Sequence, residues 1–209
     1  MNIIDKLKWR YATKLFDTTK KIDTDKLEIL KEAMRLAPTS YGMQQLRVIH
    51  VTNSKLKEAI QEASFGQKQV TTASDLFIIA VKKEVKSDDI NAYISLIAQE
   101  RDVNIDSLDA YKTRITESIL PLSSEKQSEW LFKQSYILLG FLLETASLLD
   151  IDACPMEGFD KPLVDKILEL DKLGLRSSLI IPVGYRSTND NFQKFNKTRL
   201  SKDNFFIEI

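Results

Sequence analysis

Several stretches of the chain have apolar residues at helical spacing, roughly every three to four positions. Ile3, Ile4 and Leu7 share one face of a short helix near the start of the chain. Pro38 ends the next helical stretch, because the residue before a proline is driven out of the helical conformation. The pattern predicts helices over residues 2–9, 24–37, 54–63 and 160–170, with Thr24, Asn53-Ser54 and Asp160 as capping residues.

Strand-like segments alternate with these helices. Residues 76–81 are apolar on both faces, as expected for a central strand that is covered on both sides. Pro182 lies in another apolar segment and favours an edge or bulge position there, since proline has no amide to donate. The predicted strands are residues 48–51, 76–81, 151–154, 178–184 and the alternating segment 204–209. Interspersed helices and strands without a repeat indicate a three-layer α/β or α+β sandwich.

The helix predicted from about Ser124 to Leu149 differs from the others, because apolar residues surround it on almost every side. A helix that is apolar all round must be buried all round. Either the core of one domain or a subunit interface would bury it. Residues 88–118 instead predict a long helical region at the surface, with a break near Asn104.

Composition and charge limit the classes of partner. The chain has 209 residues, enough for one domain over residues 1–209, and its 30 acidic and 30 basic residues cancel. No broad basic field favours nucleic acid or an anionic membrane, so any anion site has to be local. The longest apolar run, 136–143, is far shorter than the roughly 20 residues of a bilayer span. Charges at Asp5 and Lys6 argue against a signal peptide, and we expect a cytoplasmic protein.

Side chains for conventional catalysis are scarce. His50 is the only histidine and lies within a predicted strand, while Cys154, the only cysteine, lies in a short buried strand, so both favour structural roles. The six glycines form neither a dinucleotide-binding fingerprint nor a P-loop. We therefore expect no catalytic side chain and no bound metal. An enzyme of this composition must take its reactivity from an organic cofactor.

Two basic pairs and one loop remain as candidates for chemistry. Arg10 and Lys14 lie near the start of the chain, and Lys197 and Arg199 lie near its end. A guanidinium fork and a compact ammonium suit phosphate oxygens, although on spacing alone solvated cations are the commoner explanation. The loop at residues 155–158 follows a predicted strand. It suits the approach of a planar ring to backbone amides, or it is an ordinary strand-to-helix connection.

Six short blocks, in order along the chain, carry a family pattern. They are residues 9–17 (WRYATKLFD), 36–44 (LAPTSYGMQ), 66–70 (GQKQV), 154–160 (CPMEGFD), 181–185 (IPVGY) and 197–200 (KTRL). Together they resemble the nitroreductase family of FMN-dependent NAD(P)H oxidoreductases, over essentially the whole chain. The resemblance implies an α+β fold, a three-layer α/β/α nitroreductase-like sandwich with a mixed, mainly antiparallel sheet. It also implies a homodimer with shared active sites.

The resemblance further implies an FMN site. Arg10, Lys197 and Arg199 would hold the phosphate, and Lys14 would reach the pyrimidine edge of the flavin, where a fixed cation stabilises the charge added on reduction. The other implied contacts are the backbone of Tyr11 and Ala12, a hydrogen bond from Gln67 or Gln69, the loop of Pro155, Met156, Glu157 and Gly158 against the ring face, and Pro38, Thr39, Ser40 and Gly42 from the partner subunit.

The activity implied is ping-pong hydride transfer from NADH or NADPH through FMN to nitroaromatics, quinones or related acceptors. The same fold also carries dihydropteridine reduction, dehydrogenation and dehalogenation, and a flavin-binding protein without turnover is a further alternative. Three positions depart from the family pattern: Ala12 where many relatives have serine, Gln45-Leu46 where proline and an aromatic residue are frequent, and Gly66 where asparagine is frequent.

Overall fold

The centre of the molecule is a small antiparallel sheet between helical layers. The computed structural model describes residues 2–209. Its strands are β1 (Leu46–Val51), β2 (Asp75–Lys82), β3 (Asp152–Ala153) and β4 (Leu175–Gly184), in the spatial order β1-β2-β4-β3. Its helices are α1 (Ile3–Trp9), α2 (Thr24–Arg35), α3 (Ser54–Ala63), α4 (Gln69–Thr72), α5 (Ser87–Arg101), α6 (Asp109–Ile119), α7 (Ser124–Leu148), α8 (Lys161–Ile167) and α9 (Lys202–Phe205). One isolated parallel bridge joins Ala12 to Ala153, so the sheet is mainly antiparallel, as predicted.

The two central strands are apolar throughout because helices cover both of their faces. Phe77 and Ile79 of β2, with Ile181 of β4, pack in one core with residues of α2 and α7. Leu76 and Ile78 point the opposite way and pack in a second core with residues of α3 and α8. Alternation with period two along β2 thus builds both cores at once. The predicted three-layer sandwich is confirmed.

The helices α5 and α6 form a hairpin that covers the first half of α7. Ile94 of α5, Ile115 of α6 and Leu131 of α7 lie in a third core. The predicted break between the two helices is present, where Asn104 caps a short 3-10 turn by accepting from the amide of Asp106. This hairpin is the surface region predicted at residues 88–118.

Besides the C-terminus of α2, which lies at Arg35 and not at Ala37, two predicted helix boundaries were wrong. The N-cap of α2 is Asp23, and Thr24 is already the first helical residue. The helix predicted to reach Leu170 ends at Ile167, because Glu169 adopts a left-handed conformation with φ of 53°. Neither position carries a glycine or proline that would mark the boundary in the sequence.

Pro182 lies inside the sheet and not at an edge or bulge. Pro182 of β4 pairs with Leu76 of β2. The register shift between these two strands lies further along, between Ile79 and Ala80 of β2. The Cys154 amide donates to the Pro182 carbonyl at 3.0 Å. The nitrogen and carbonyl of one strand residue face the same neighbour. The missing Pro182 amide therefore faces the short β3 side, where the ladder costs least to interrupt.

The end of the chain is a short helix and not the predicted strand. After α9, residues 206–209 form no strand. Phe206, Ile207 and Ile209 are exposed, Ile207 at 87%. A strand needs a neighbour for its backbone hydrogen bonds, and within residues 2–209 no strand pairs with this segment. The apolar alternation there has no partner in its own chain.

One side of α7 is exposed in the single chain, contrary to the burial that its all-round apolar pattern predicts. Leu138 and Leu142 are buried, whereas Tyr136, Ile137 and Phe141 are 44%, 40% and 40% exposed. Exposed apolar surface of this kind is typical of protein–protein contacts.

In the described part of the chain, α7 and every other helix fall short of the length and apolar character that crossing a membrane requires.

Candidate functional site

The two basic pairs identified in the sequence, Arg10 with Lys14 and Lys197 with Arg199, line one cleft with a volume of about 390 Å³. One wall begins where α1 ends, because the backbone becomes extended at Arg10, with φ −68° and ψ 143°. The other wall is formed by residues near the end of the chain. The lining residues include Lys8 to Ala12 and Lys14 on one wall, and Phe192, Gln193 and Phe195 to Arg199 on the other.

Lys197 is anchored to the C-terminal end of α1. Its ammonium donates to the carbonyl of Leu7 at 2.9 Å and to the carbonyl of Arg10. Carbonyls at a helix C-terminus lack intrahelical partners and carry partial negative charge, so they attract a lysine. This contact draws the segment that carries Arg199 against the first wall.

Arg10, Lys197 and Arg199 are close enough to repel one another. Burial and then Arg199 lower the pKa of Arg10. Burial, Arg10 and Arg199 likewise lower the pKa of Lys197. In the part of the chain that the structure describes, none of the three forms an ion pair. Unneutralised cations in a cleft are complementary to a multiply charged anion such as a phosphate monoester.

Asp190 joins the two walls, and sequence reasoning missed it. One carboxylate oxygen accepts from the Tyr11 hydroxyl at 2.9 Å and from the amides of Lys14 and Leu15 at 2.8 and 3.2 Å. The other accepts from the Phe192 amide at 3.0 Å. Burial alone would raise the pKa of Asp190, but these hydrogen bonds hold it below its ordinary value. The only sequence signal is that of an aspartate in a polar turn.

Arg186 stabilises the first wall, and sequence reasoning did not predict this role. Its guanidinium lies 4.1 Å from the Trp9 ring centroid and 4.6 Å from the Tyr11 ring centroid. It also pairs with Asp152 at 2.6 and 2.8 Å. A flat, paired guanidinium between two aromatic rings fixes the backbone around Arg10. No motif indicated this contact, because its partners come from separate segments of the chain.

A line of polar groups leads from the cation cluster to residues 155–158, here called the site loop. The Lys14 ammonium lies 3.6 Å from the Cys154 sulfur. Burial raises the pKa of the Cys154 thiol, although Lys14 acts in the opposite direction. Gln69 Nε2 donates to Gln67 Oε1 at 2.9 Å, and Gln67 Nε2 donates to the Gly158 carbonyl at 2.7 Å. Gln69 also hydrogen-bonds the Cys154 thiol. The structure thus connects Lys14, both glutamines and the site loop.

The site loop exposes backbone at Met156 and Gly158, whereas Glu157 is an exposed residue. The Met156 side chain is 4% exposed and packs in the core, so only its backbone is available to a ligand. Burial and a hydrogen bond with Glu157 raise the pKa of Tyr136 to about 12, which places this α7 residue beside the loop. A Cβ added at Gly158 would meet only Gln67 Nε2, at 3.8 Å. Within 4 Å of that position no bulky side chain covers Gly158.

The residues expected from a partner subunit are Pro38, Thr39, Ser40 and Gly42. None of them lines the cleft of its own chain. Their turn is held elsewhere: the Ser40 amide donates to Gln134 of α7, and the Tyr111 hydroxyl of α6 donates to the Tyr41 carbonyl, both at 2.8 Å. The turn also needs left-handed backbone, with φ of 71° at Gly42. One chain alone does not bring these residues to the cation cluster.

The remaining candidates for chemistry have structural surroundings. His50 Nε2 lies 2.8 Å from an Asp75 oxygen, and its ring is 4.9 Å from that of Phe77. Cys154 is free and buried. Both arrangements agree with the structural roles expected from the sequence.

Comparison with known proteins places the chain in a family. Residues 7–185 match the Nitroreductase family. A Staphylococcus epidermidis protein named "Putative NAD(P)H nitroreductase SERP2086" is 33% identical over 215 residues, which cover 99% of this chain and 96% of that protein. The crystal structure of a nitroreductase-like protein from Streptococcus mutans has a TM-score of 0.85 at 22% identity, covering 99% of this chain and 97% of that one.

A second crystal structure, of a "putative NAD(P)H:FMN oxidoreductase" from S. epidermidis, has a TM-score of 0.80 at 25% identity and covers 100% of this chain and 96% of that one. The fold and the cleft define an α+β sandwich that carries Arg10, Lys197 and Arg199 in one cleft. The chain belongs to the nitroreductase family, as the six sequence blocks predicted.

Proposed function

We propose that this protein is an NAD(P)H-dependent flavin oxidoreductase that binds FMN in the cleft. The observation that carries the proposal is the cluster of Arg10, Lys197 and Arg199, which repel one another and have no ion-pair partner in residues 2–209. The phosphate of FMN supplies the missing negative charge. The S. epidermidis relatives, whose names include NAD(P)H and FMN, support the same donor and cofactor.

The groups beyond the phosphate cluster also fit a flavin. Lys14 holds a cation beside the site loop, where it stabilises negative charge gained on reduction. Gln67 is half-buried, whereas Gln69 is only 4% exposed. We therefore assign the direct flavin contact to Gln67 and the support of Gln67 to Gln69. The open surface at Gly158 suits a flat ring.

FMN, when bound, supplies hydride chemistry: it takes two electrons from NADH or NADPH and passes them to an acceptor that uses the same site in turn. The chain binds and orients these molecules and stabilises charge, and no side chain has to act as acid or base. The acceptors we propose are nitroaromatics, quinones or related compounds. The donor is supplied by cytoplasmic metabolism, so we propose the cytoplasm as the compartment.

We further propose a homodimer with shared sites. The helices α1 and α2 pack against α7, and each leaves apolar residues exposed nearby. Ile4 is 52% exposed, Leu36 is 61% exposed and Phe141 is 40% exposed. An obligate interface above about 2,000 Å² would cover such a surface. The turn of Pro38 to Gly42, bonded to α7 at Gln134, would then reach the site of the partner.

A groove beside the edge strand β1 fits the end of the partner chain. It measures about 220 Å³ and combines apolar and basic residues, among them Met34, Leu46, Val48, Lys31, Arg35 and Arg47. Residues 205–209 are apolar except for the acidic Glu208. Apolar side chains with one carboxylate are complementary to a groove of apolar and basic residues. Among the described residues β1 has only β2 beside it, so its outer edge can accept an added strand.

Release and identification of the flavin test the proposed cofactor. We expect the purified protein to be yellow and to release one FMN per chain on heating, because nothing in the site implies a covalent bond. The released flavin should migrate with FMN in chromatography. Release of FAD, or a protein that stays colourless after incubation with FMN, would falsify the proposal.

A further inference from the structure

Asp190 is a buried carboxylate with an unusual set of partners. It is 2% exposed, and within residues 2–209 it forms no ion pair. Its four hydrogen bonds come instead from the Tyr11 hydroxyl and the amides of Lys14, Leu15 and Phe192. Charge-assisted hydrogen bonds to backbone amides fix the backbone strongly. Asp190 therefore acts on chain geometry and not as a counter-ion.

The hydrogen bonds of Asp190 connect the two walls of the cleft. Tyr11 directly follows Arg10 on one wall, and Phe192 begins the segment that leads to Lys197 and Arg199 on the other. Lys197 links the same walls from an exposed position, where it reaches the end of α1. A further link runs through Ser187, whose amide donates to the Leu15 carbonyl and whose carbonyl accepts from Gln193. Asp190 does not line the cleft, so the buried link that it forms acts without contacting a ligand there.

We propose that Asp190 is a positioning residue: it holds the walls at the separation at which Arg10, Lys197 and Arg199 converge on the ligand phosphate. This inference rests on the proposed function, because the phosphate is that of FMN. Simple electrostatics would give the opposite result on mutation. Asp190 bonds Tyr11 and Lys14, which line the cleft. Removing its negative charge strengthens the attraction of the cleft for an anion, whereas loss of positioning weakens phosphate binding.

Titration of apo-protein with FMN and with riboflavin, which lacks the phosphate, distinguishes a positioning role of Asp190 from a simple electrostatic effect of its charge. For Asp190→Asn we expect FMN affinity to fall about tenfold or more, with riboflavin affinity changed by less than about threefold. The matched control is Asp89→Asn. Asp89 is another largely buried aspartate that accepts from a backbone amide, that of Lys86 at 2.9 Å, and it lies outside the cleft. We expect the control to bind both flavins as the wild type does.

Unchanged or tighter FMN binding by Asp190→Asn would overturn the proposal, and so would an equal loss for FMN and riboflavin, which indicates a general structural role. If Asp190→Asn does not fold, Tyr11→Phe removes one donor and keeps the carboxylate. That variant should lose FMN affinity and retain riboflavin affinity, and an unchanged FMN affinity would again overturn the proposal. A wild-type protein that binds neither flavin contradicts the proposed function itself.

Discussion

Arg10, Lys197 and Arg199 are brought together by a fold that gives them no neutralising carboxylate in residues 2–209. Like charges in one cleft repel one another, and partial burial strengthens the repulsion because it lowers the local dielectric. A bound phosphate attracts each of these cations, and this attraction offsets the repulsion among them. At the scale of residues, the site is therefore electrostatically unfavourable without its ligand, and ligand binding should also stabilise the fold.

The Arg199 guanidinium should matter far more for FMN than its neighbour Thr198, since both are exposed but only one carries charge. A hydrogen bond to a charged group contributes about 1.5–3 kcal/mol, so Arg199→Ala should bind FMN about ten- to a hundredfold more weakly. Thr198→Ala is the matched control and should bind FMN as the wild type does. Equal FMN affinities of the two variants, measured by fluorescence titration of apo-protein, would refute the phosphate role of Arg199.

The residue types along the sequence predicted part of this site. The rest depends on contacts that only the folded chain creates. Arg10, Lys14, Lys197 and Arg199 were predicted because cations at those positions match a short family pattern. Asp190 was not predicted, because an aspartate in a polar turn looks the same whether it caps one turn or joins two distant segments. Its function depends on which amides the fold brings to it, and no local pattern shows that.

At the scale of elements, the sequence pattern succeeded where each element is completed by its own chain. The strands β2 and β4 alternate apolar residues that fill two cores, so their positions were predictable. The strand predicted at residues 204–209 is absent from the single chain, and the burial predicted for α7 is incomplete there, for one common reason. Their apolar patterns require neighbours that a single chain does not provide. These differences support the proposed dimer.

Removal of residues 206–209 should loosen the dimer and reduce the FMN content together, because the proposed site is shared between subunits. Analytical ultracentrifugation and flavin absorbance of the same sample measure both. Ile207→Lys should act in the same direction, since a positive charge would enter a groove that Lys31, Arg35 and Arg47 line. Ser201→Lys, outside that segment, is the control. A truncated protein that sediments as a dimer with full FMN content would contradict the tail assignment.

At the scale of the whole molecule, the first and last segments of the chain meet at one cleft. The contacts of Asp190 and Lys197 hold that meeting in place, and the sandwich between them presents the site loop at the end of the polar line from Lys14 to Gly158. The proposed oxidoreductase therefore needs the complete fold to assemble one site. A protein that only binds flavin would need the same geometry, so binding alone does not establish turnover.

An anaerobic absorption titration tests the central claim most directly. We expect the visible flavin absorption of the purified protein to disappear on addition of NADH or NADPH in equimolar amount. It should return on addition of a quinone such as menadione, because one site serves donor and acceptor in turn. A bound flavin that neither NADH nor NADPH reduces would contradict the account and identify a flavin-binding protein without this activity.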